Sequence, residues 1–371
     1  MADSGTRSDD RPGEAVEVPY TLFDAAYAAL ITDVLENGRI KPSRQEGSET
    51  ISASGKQIRV GVGRRMAPTP DTAGTVCVRD PPVLHSKRIA FGMVAEELAW
   101  FLRGGTNALD LAARSCNIWD DDAEKARARG FNYPPGELGP IYGYQWRKRP
   151  DGDQIERAIN ALVDNFSDRG IVVDSWDVER IGEMVLRPCH YSFQFVATPI
   201  AAELSSAILG GFDPRGYDFI QVDCVVTMRS TDVGLGLPFN VVSYALLTIL
   251  CALEAERRYN ARKVGRRFYT FGDVVVNMGD CHIYASHRPE LAKLAGAVGG
   301  SAISHGHSVF GLTVPTRARS GEGMKSDDIV DIFAADTAAK RRNLWSPAIR
   351  APGANFPATW RPPRIPLKLH T

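Results

Sequence analysis

The stretch RPCHYSFQF places Cys189 directly after Pro188 at the entrance to a β-rich segment. A cysteine in such a place is ordinarily a small buried hydrophobe. Two neighbours argue for chemistry instead. Arg187 is expected to favour the thiolate, the form that attacks, and His190 sets a polar group next to the sulfur where a packing cysteine needs none. Conjugate addition to an electron-poor ring is one reaction that needs a thiolate, and it makes the adjacent ring carbon nucleophilic.

A second constellation is MRSTDVGLGLPFN. Arg229, as a fork, and Ser230, as a short donor, suit a phosphate at a strand end. Asn240 reads in two ways. It is an N-cap for the apolar segment that follows, or its amide, both donor and acceptor, reads the C=O and N–H edge of a uracil-like base. In GDCHIYASH, His282 and Tyr284 are two residues apart, so a strand presents both on one face, as adjacent sugar hydroxyls require. Glu97, inside the apolar run EELAWFLRGG, is costly to bury unless it is paired or moves a proton. Glu96 is expected to be the solvated one of the two. Trp119, Tyr142 and Trp146 belong to the core by default, although a tryptophan also stacks on a flat heterocycle.

These residues need elements to hold them. TLFDAAYAALITDVLENG has apolar residues at helical spacing and ends in Asn-Gly, a helix with a C-cap. TISASGKQIRVGVG reads as a hairpin turning at Ser54-Gly55. AFGMVAEELAWFLRGG is an amphipathic helix stopped by glycines, and NVVSYALLTILCALEAERR, apolar nearly all round at first, is a buried central helix. SFQFVAT, FIQVDCVVTMRS and RRFYTFGDVVVNMGDCHIY look like strands of one mixed sheet, and a Gly/Ser-rich loop, GAVGGSAISHGHS, follows the last. Without βαβ alternation, one α+β domain is favoured over a doubly wound one. Residues 1–18 read as a disordered tail and 19–371 as a single catalytic domain. That domain carries an insertion with a short helix at about 199–219 and a divergent C-terminal region at about 290–371.

Lys+Arg and Asp+Glu both number 44, so the net charge is zero and a nucleic-acid polymer is not the expected partner. Any anion must be met by a local cluster of arginines. Six scattered cysteines without a C-x-x-C pair point away from a structural zinc or a disulfide framework, and no metal is expected. The polar N-terminus lacks a signal-peptide core and the longest apolar run is too interrupted to span a bilayer, so a cytoplasmic protein is expected.

From Tyr20 to His287 the blocks EELAWFLRGGTN, IWD, GELGPIYGYQWR, RPCHYSFQF, RSTDVGLGLPFNVVSYALL and GDCHIYASH resemble thymidylate synthase in order, spacing and wording. The resemblance implies a mixed sheet flanked by helices, a homodimer paired sheet to sheet, and 5,10-methylenetetrahydrofolate as the one-carbon donor to a nucleoside monophosphate. In that family a cysteine adds to the pyrimidine's C6, and C5 then attacks the folate's iminium form. Carried onto this chain, Cys189 is the nucleophile and Glu97 organises water and proton transfers. Tyr142 packs beside the cysteine, and Asn240 reads the base. His282 and Tyr284 hold the sugar, with His190 at the same substrate site. Arg44, Arg229 and Ser230 hold phosphate. Trp119, Asp232, Leu235, Gly236 and Phe239 bind folate or order the site.

The departures bear on the product. Where the family lends a pair of arginines across its dimer, this chain has Arg169-Gly170. The usual second tryptophan is Asp122, a usual glutamine is Met228, and the closing C-terminus is replaced by RIPLKLHT. Hydride on the exocyclic methylene gives a methyl group, as in thymidylate synthase, whereas water gives a hydroxymethyl group, as in related nucleotide hydroxymethylases. A pocket that excludes water less well favours the second. Asn240 fits uracil, since cytosine-specific relatives carry Asp there, and guanine or 7-deazaguanine presents the same edge. A non-catalytic nucleotide-binding homologue is disfavoured because Cys189, Glu97, Asn240, His282 and Tyr284 are all present.

Overall fold

The computed structural model describes residues 20–43, 48–65, 75–201, 215–262, 264–301 and 311–315. Helix α1 (Leu22–Asn37) opens on a capping box, in which the Thr21 hydroxyl accepts from the Asp24 amide at 3.1 Å and Asp24 accepts from the Thr21 amide at 2.8 Å. Asp24 is wholly buried and also accepts from the amides of His85 and Ser86, at 3.1 and 2.8 Å. It thereby fastens the segment leading into α2 (Phe91–Leu102), the helix that carries Glu97. Asp24→Ala leaves those donors unpaired in the interior and is expected to cost about 3 kcal/mol, read as a lowered denaturant midpoint. The anticipated C-cap of α1 is there for reasons of space. Gly38 has an ordinary φ of −74°, but a Cβ on it would stand 2.3 Å from the Val34 carbonyl oxygen.

Strands β1 (Arg39–Pro42), β2 (Glu49–Gly61), β5 (Val172–Asp174), β6 (His190–Pro199), β7 (Asp218–Asp232) and β8 (Arg267–Tyr284) form a sheet in the order β1-β2-β8-β7-β6-β5. All neighbours are antiparallel except β7 and β8, which are parallel. The mixed α+β sheet flanked by helices is as expected, but it contains one βαβ crossover. This runs through α7 (Gly236–Ala261), after the shorter helices α3 (Ala108–Ala112), α4 (Asp120–Lys125), α5 (Tyr142–Arg147) and α6 (Gln154–Asp164). Among the described residues α7 is the one helix long and apolar enough to cross a membrane, yet 78% of its apolar 18-residue stretch is buried and it packs on β7 and β8 as the core helix.

Two expectations about the elements fail, and one feature is new. The hairpin with its turn at Ser54-Gly55 does not form: β2 runs straight through, with Gly55 at φ +67°, and pairs with β8 from Thr50↔Tyr284 to Gly61↔Asp273. The long partner strand supplies more ladder bonds than a fold-back would. The first four residues of the Gly/Ser-rich stretch, 296–299, belong to helix α8 (Arg288–Gly299), where Leu291, Leu294, Ala295 and Val298 fall on one buried stripe. A small second sheet, β3 (Arg64–Arg65), β4 (Thr75–Arg79) and β9 (Gly311–Pro315), was not anticipated. The 1–18 tail, the helix expected within 199–219 and most of the C-terminal region fall largely or wholly outside the described residues.

Candidate active site

Cys189 sits just before β6, half-buried, and antiparallel pairing of β6 with β7 brings Arg229 across to it. The Arg229 amide donates to the Cys189 carbonyl at 2.8 Å, and Arg229 Nη2 lies 3.7 Å from Cys189 Sγ. The cation on the sulfur is therefore Arg229, while Arg187, expected in that role, is exposed and offers its carbonyl to Arg229 Nη2 at 2.7 Å. A guanidinium so close opposes protonation of a thiolate. Arg229 Nε also donates to the Pro188 carbonyl at 2.8 Å, so two edges of the guanidinium are already engaged and the phosphate fork read from sequence is only partly open.

On the other side, the Cys189 amide donates to the Tyr142 hydroxyl at 2.7 Å. Tyr142 is buried, its pKa raised well above 10 chiefly by desolvation. His190 was expected to flank the sulfur as a polar group. Instead it stacks on Tyr142, with centroids 4.1 Å apart, and its Nδ1 pairs with the Tyr244 hydroxyl at 2.8 Å. Successive strand residues point to opposite faces, which turns the imidazole into the aromatic core. Burial pushes its pKa down to about 3, so the ring is neutral.

Glu97 accepts from Trp119 Nε1 at 2.8 Å. Burial raises its pKa to about 7, with the Trp119 bond opposing, although the residue as a whole is only part-buried. Trp119 is core as expected, 6.1 Å centroid to centroid from both Trp100 and Tyr142. Glu96 is not solvated: its side chain is 12% exposed, with Arg114 Nη1 3.5 Å from the carboxylate.

The turn after β7 is held from several sides. Asp232 Oδ1 accepts from the Gly234 and Leu235 amides at 2.8 and 3.2 Å, Tyr27 donates to the Val233 carbonyl at 2.7 Å, and the Lys87 ammonium donates to the Gly234 carbonyl. Desolvation lowers the Lys87 pKa to about 8, against the opposing pull of Asp232. Asn240 is not an N-cap, since α7 begins at Gly236 with Leu235 as its cap. Its half-buried amide has no side-chain partner among the described residues, and a Cβ added at Gly236 would stand 3.6 Å from its Oδ1. The register Asp232↔His282 brings His282 and Tyr284 alongside, their rings edge-on at 5.5 Å. Ser230 is half-buried opposite Asp280.

Arg169 does not join this group. It is exposed on the loop before edge strand β5, its carbonyl bound by Gln194 Nε2 at 2.8 Å. Gln194 lies five residues beyond Cys189, roughly 16 Å at strand rise. Arg44 lies outside the described residues. Asp122 pairs with Arg129 at 2.6 Å, and Met228 is buried.

Residues 25–296 match the family described as thymidylate synthase. The chain belongs to the thymidylate synthase family. That family transfers a one-carbon unit from methylenetetrahydrofolate to a nucleotide and is dimeric. The residues at the start of α7 fit a flat, hydrogen-bonding ligand such as folate. Leu235, Gly236 and Phe239 are half-buried beside Asp232, whose Oδ2 has no partner among the described residues. Sequence reasoning missed Lys87, Tyr244 and Arg129, because none stands in a pattern that sets it apart from an ordinary core or surface residue.

Proposed function

We propose that this chain adds a one-carbon unit to the base of a uridylate-like nucleoside monophosphate through a covalent Cys189 adduct, and that water completes the product as a hydroxymethyl group. The observation carrying the chemistry is the Arg229 guanidinium 3.7 Å from the Cys189 sulfur, with Tyr142 linking the cysteine to the Glu97–Trp119 pair. Cys189 Sγ bonds to the ring carbon next to the one that is modified, and that bond breaks when the product leaves. Glu97, poised near neutrality, exchanges the protons that ring addition and elimination require. Asn240 reads the base, His282 and Tyr284 the sugar, and Ser230 with the remaining edge of Arg229 the phosphate. When bound, methylenetetrahydrofolate supplies the carbon at the oxidation level of formaldehyde. Asp232, Leu235, Gly236, Phe239 and Trp119 are the residues that would hold it.

Water is favoured over hydride by the Asp122–Arg129 ion pair, which sets one charge on the helix that Trp119 opens and its partner just after it, where the resemblance expects an apolar ring. The subunits are proposed to pair through the sheet face opposite α7. There Gln194, Val225, Thr227 and Asn277 are half-buried and Val172 and Val196 are 48% and 38% exposed. Arg169, on the loop before edge strand β5, would serve the partner's phosphate.

The test is incubation with formaldehyde, tetrahydrofolate and UMP or dUMP. A mass gain of CH2O with release of ring tritium supports the proposal, a gain of CH2 makes the chain a synthase, and no change with any nucleotide removes the enzymatic reading. Asp122→Trp is expected to raise the methyl-to-hydroxymethyl ratio about tenfold, a difference of ~1.4 kcal/mol between the two barriers. An unchanged ratio would remove Asp122 from the account.

A further inference from the structure

We propose that Tyr244 is a positioning residue that fixes the tautomer of His190, so that the ring presents Nε2–H as a donor to a carbonyl on the substrate base. Tyr244 lies on α7, 2% exposed, with its hydroxyl 2.8 Å from His190 Nδ1. That hydroxyl has no second partner among the described residues. A neutral imidazole carries one hydrogen on one of its two nitrogens. If Nδ1 held it, the bond would run from histidine to tyrosine and the phenolic proton would be sealed in the core without an acceptor. If Tyr244 donates, every buried proton has a partner, and this is the favoured arrangement. The hydrogen of His190 is then on Nε2.

Burial supports the premise from both sides, since the imidazole stays neutral and Tyr244 keeps its proton. The geometry keeps the imidazole against Tyr142, the residue that holds the nucleophile's backbone. His190 follows Cys189 in the chain and stacks on Tyr142, whose hydroxyl accepts from the Cys189 amide. Nε2 has no protein partner among the described residues, and it is not one of the polar atoms sealed from solvent. An N–H at this point meets a ring carbonyl, as in uracil, and opposes a ring amino group, as in cytosine, because two donors then face each other. The tautomer itself follows from the structure; its use in choosing the base rests on the function proposed above.

The experiment uses the full chain with 15N-labelled histidine, the His190 signals being assigned by their loss in His190→Gln. The wild type is expected to show a protonated Nε2 and an unprotonated, hydrogen-bonded Nδ1. In Tyr244→Phe, which keeps the ring and its packing, the Nδ1 signal is expected to move as its donor is lost. A protonated Nδ1 in the wild type would overturn the assignment, whatever the enzyme does. In the kinetic arm, Tyr244→Phe is expected to narrow the preference in kcat/KM for the uridine over the cytidine monophosphate roughly tenfold. Equal losses on both nucleotides, leaving the ratio unchanged, would reduce Tyr244 to a structural residue. If the wild type turns over neither nucleotide, the function proposed above fails, and the labelled histidine still decides the tautomer.

Discussion

Cys189→Ser is expected to lower turnover by about 10⁴-fold or more, the scale on which removal of a covalent nucleophile is felt, while the fold survives. The two backbone bonds that position this residue, from its amide to Tyr142 and from the Arg229 amide to its carbonyl, are independent of the side chain. The contact between Arg229 Nη2 and Sγ is lost, and a serine hydroxyl beside the same guanidinium gains no comparable anionic character. Thermal unfolding should therefore be close to wild type. Denatured wild-type enzyme, quenched during turnover, should retain a nucleotide by mass, whereas the serine variant should not. A variant that keeps more than about a hundredth of the rate would end the nucleophile assignment.

The parts of this site legible in the sequence were those fixed by local spacing. The same-face placement of His282 and Tyr284 follows from the two-residue strand period, and both rings stand together on β8. Glu97 announced itself as a carboxylate in an apolar helix, and the structure gives it a part-buried position and an indole donor. What the sequence hid was which distant residue faces which. Arg187 is the nearest cation to Cys189 along the chain, but strand pairing brings Arg229, forty residues on, to the sulfur. The same blindness made His190 look like a partner of the thiol, when its side chain turns into the ring stack of Tyr142, Tyr244 and Phe101. Asn240 looked like a cap because the apolar run seems to start after it. The helix begins four residues earlier, with Pro238 in its first turn, where a missing amide hydrogen costs nothing.

At the level of the fold, the long strands and the core helix were readable from composition, and the pairing partners were not. Gly55 next to a serine gave the local mark of a turn, and only the length of β8 explains why the chain runs on through it. The parallel β7–β8 pair likewise depends on α7 lying across the sheet, which no window of the sequence reveals.

Glu97→Gln is the variant in which activity and stability should move in opposite directions. Glutamine keeps an oxygen for Trp119 Nε1 and nearly the same shape, but it neither gives up nor takes a proton, so turnover is expected to fall 10²- to 10⁴-fold. The carboxyl's pKa is about 7 when folded, against 4.5 for an ordinary glutamate. Between those values the folded chain holds a proton that the unfolded chain has released. Stability contributed by the neutral acid is therefore full below pH 4.5, declines as the pH rises, and is lost above about 7. Glutamine stays neutral throughout. The variant should match the wild type at low pH and exceed it at pH 8.5 by about 2 kcal/mol, less than the full shift implies because the residue is only part-buried. Denaturant midpoints at pH 5 and pH 8.5 measure the gap. A gap that is the same at both values would show that Glu97 is not a desolvated acid, and full activity in the variant would show that its proton is not used. The expected combination, a more stable protein that no longer turns over, identifies a carboxyl kept in an unfavourable place for the sake of the reaction.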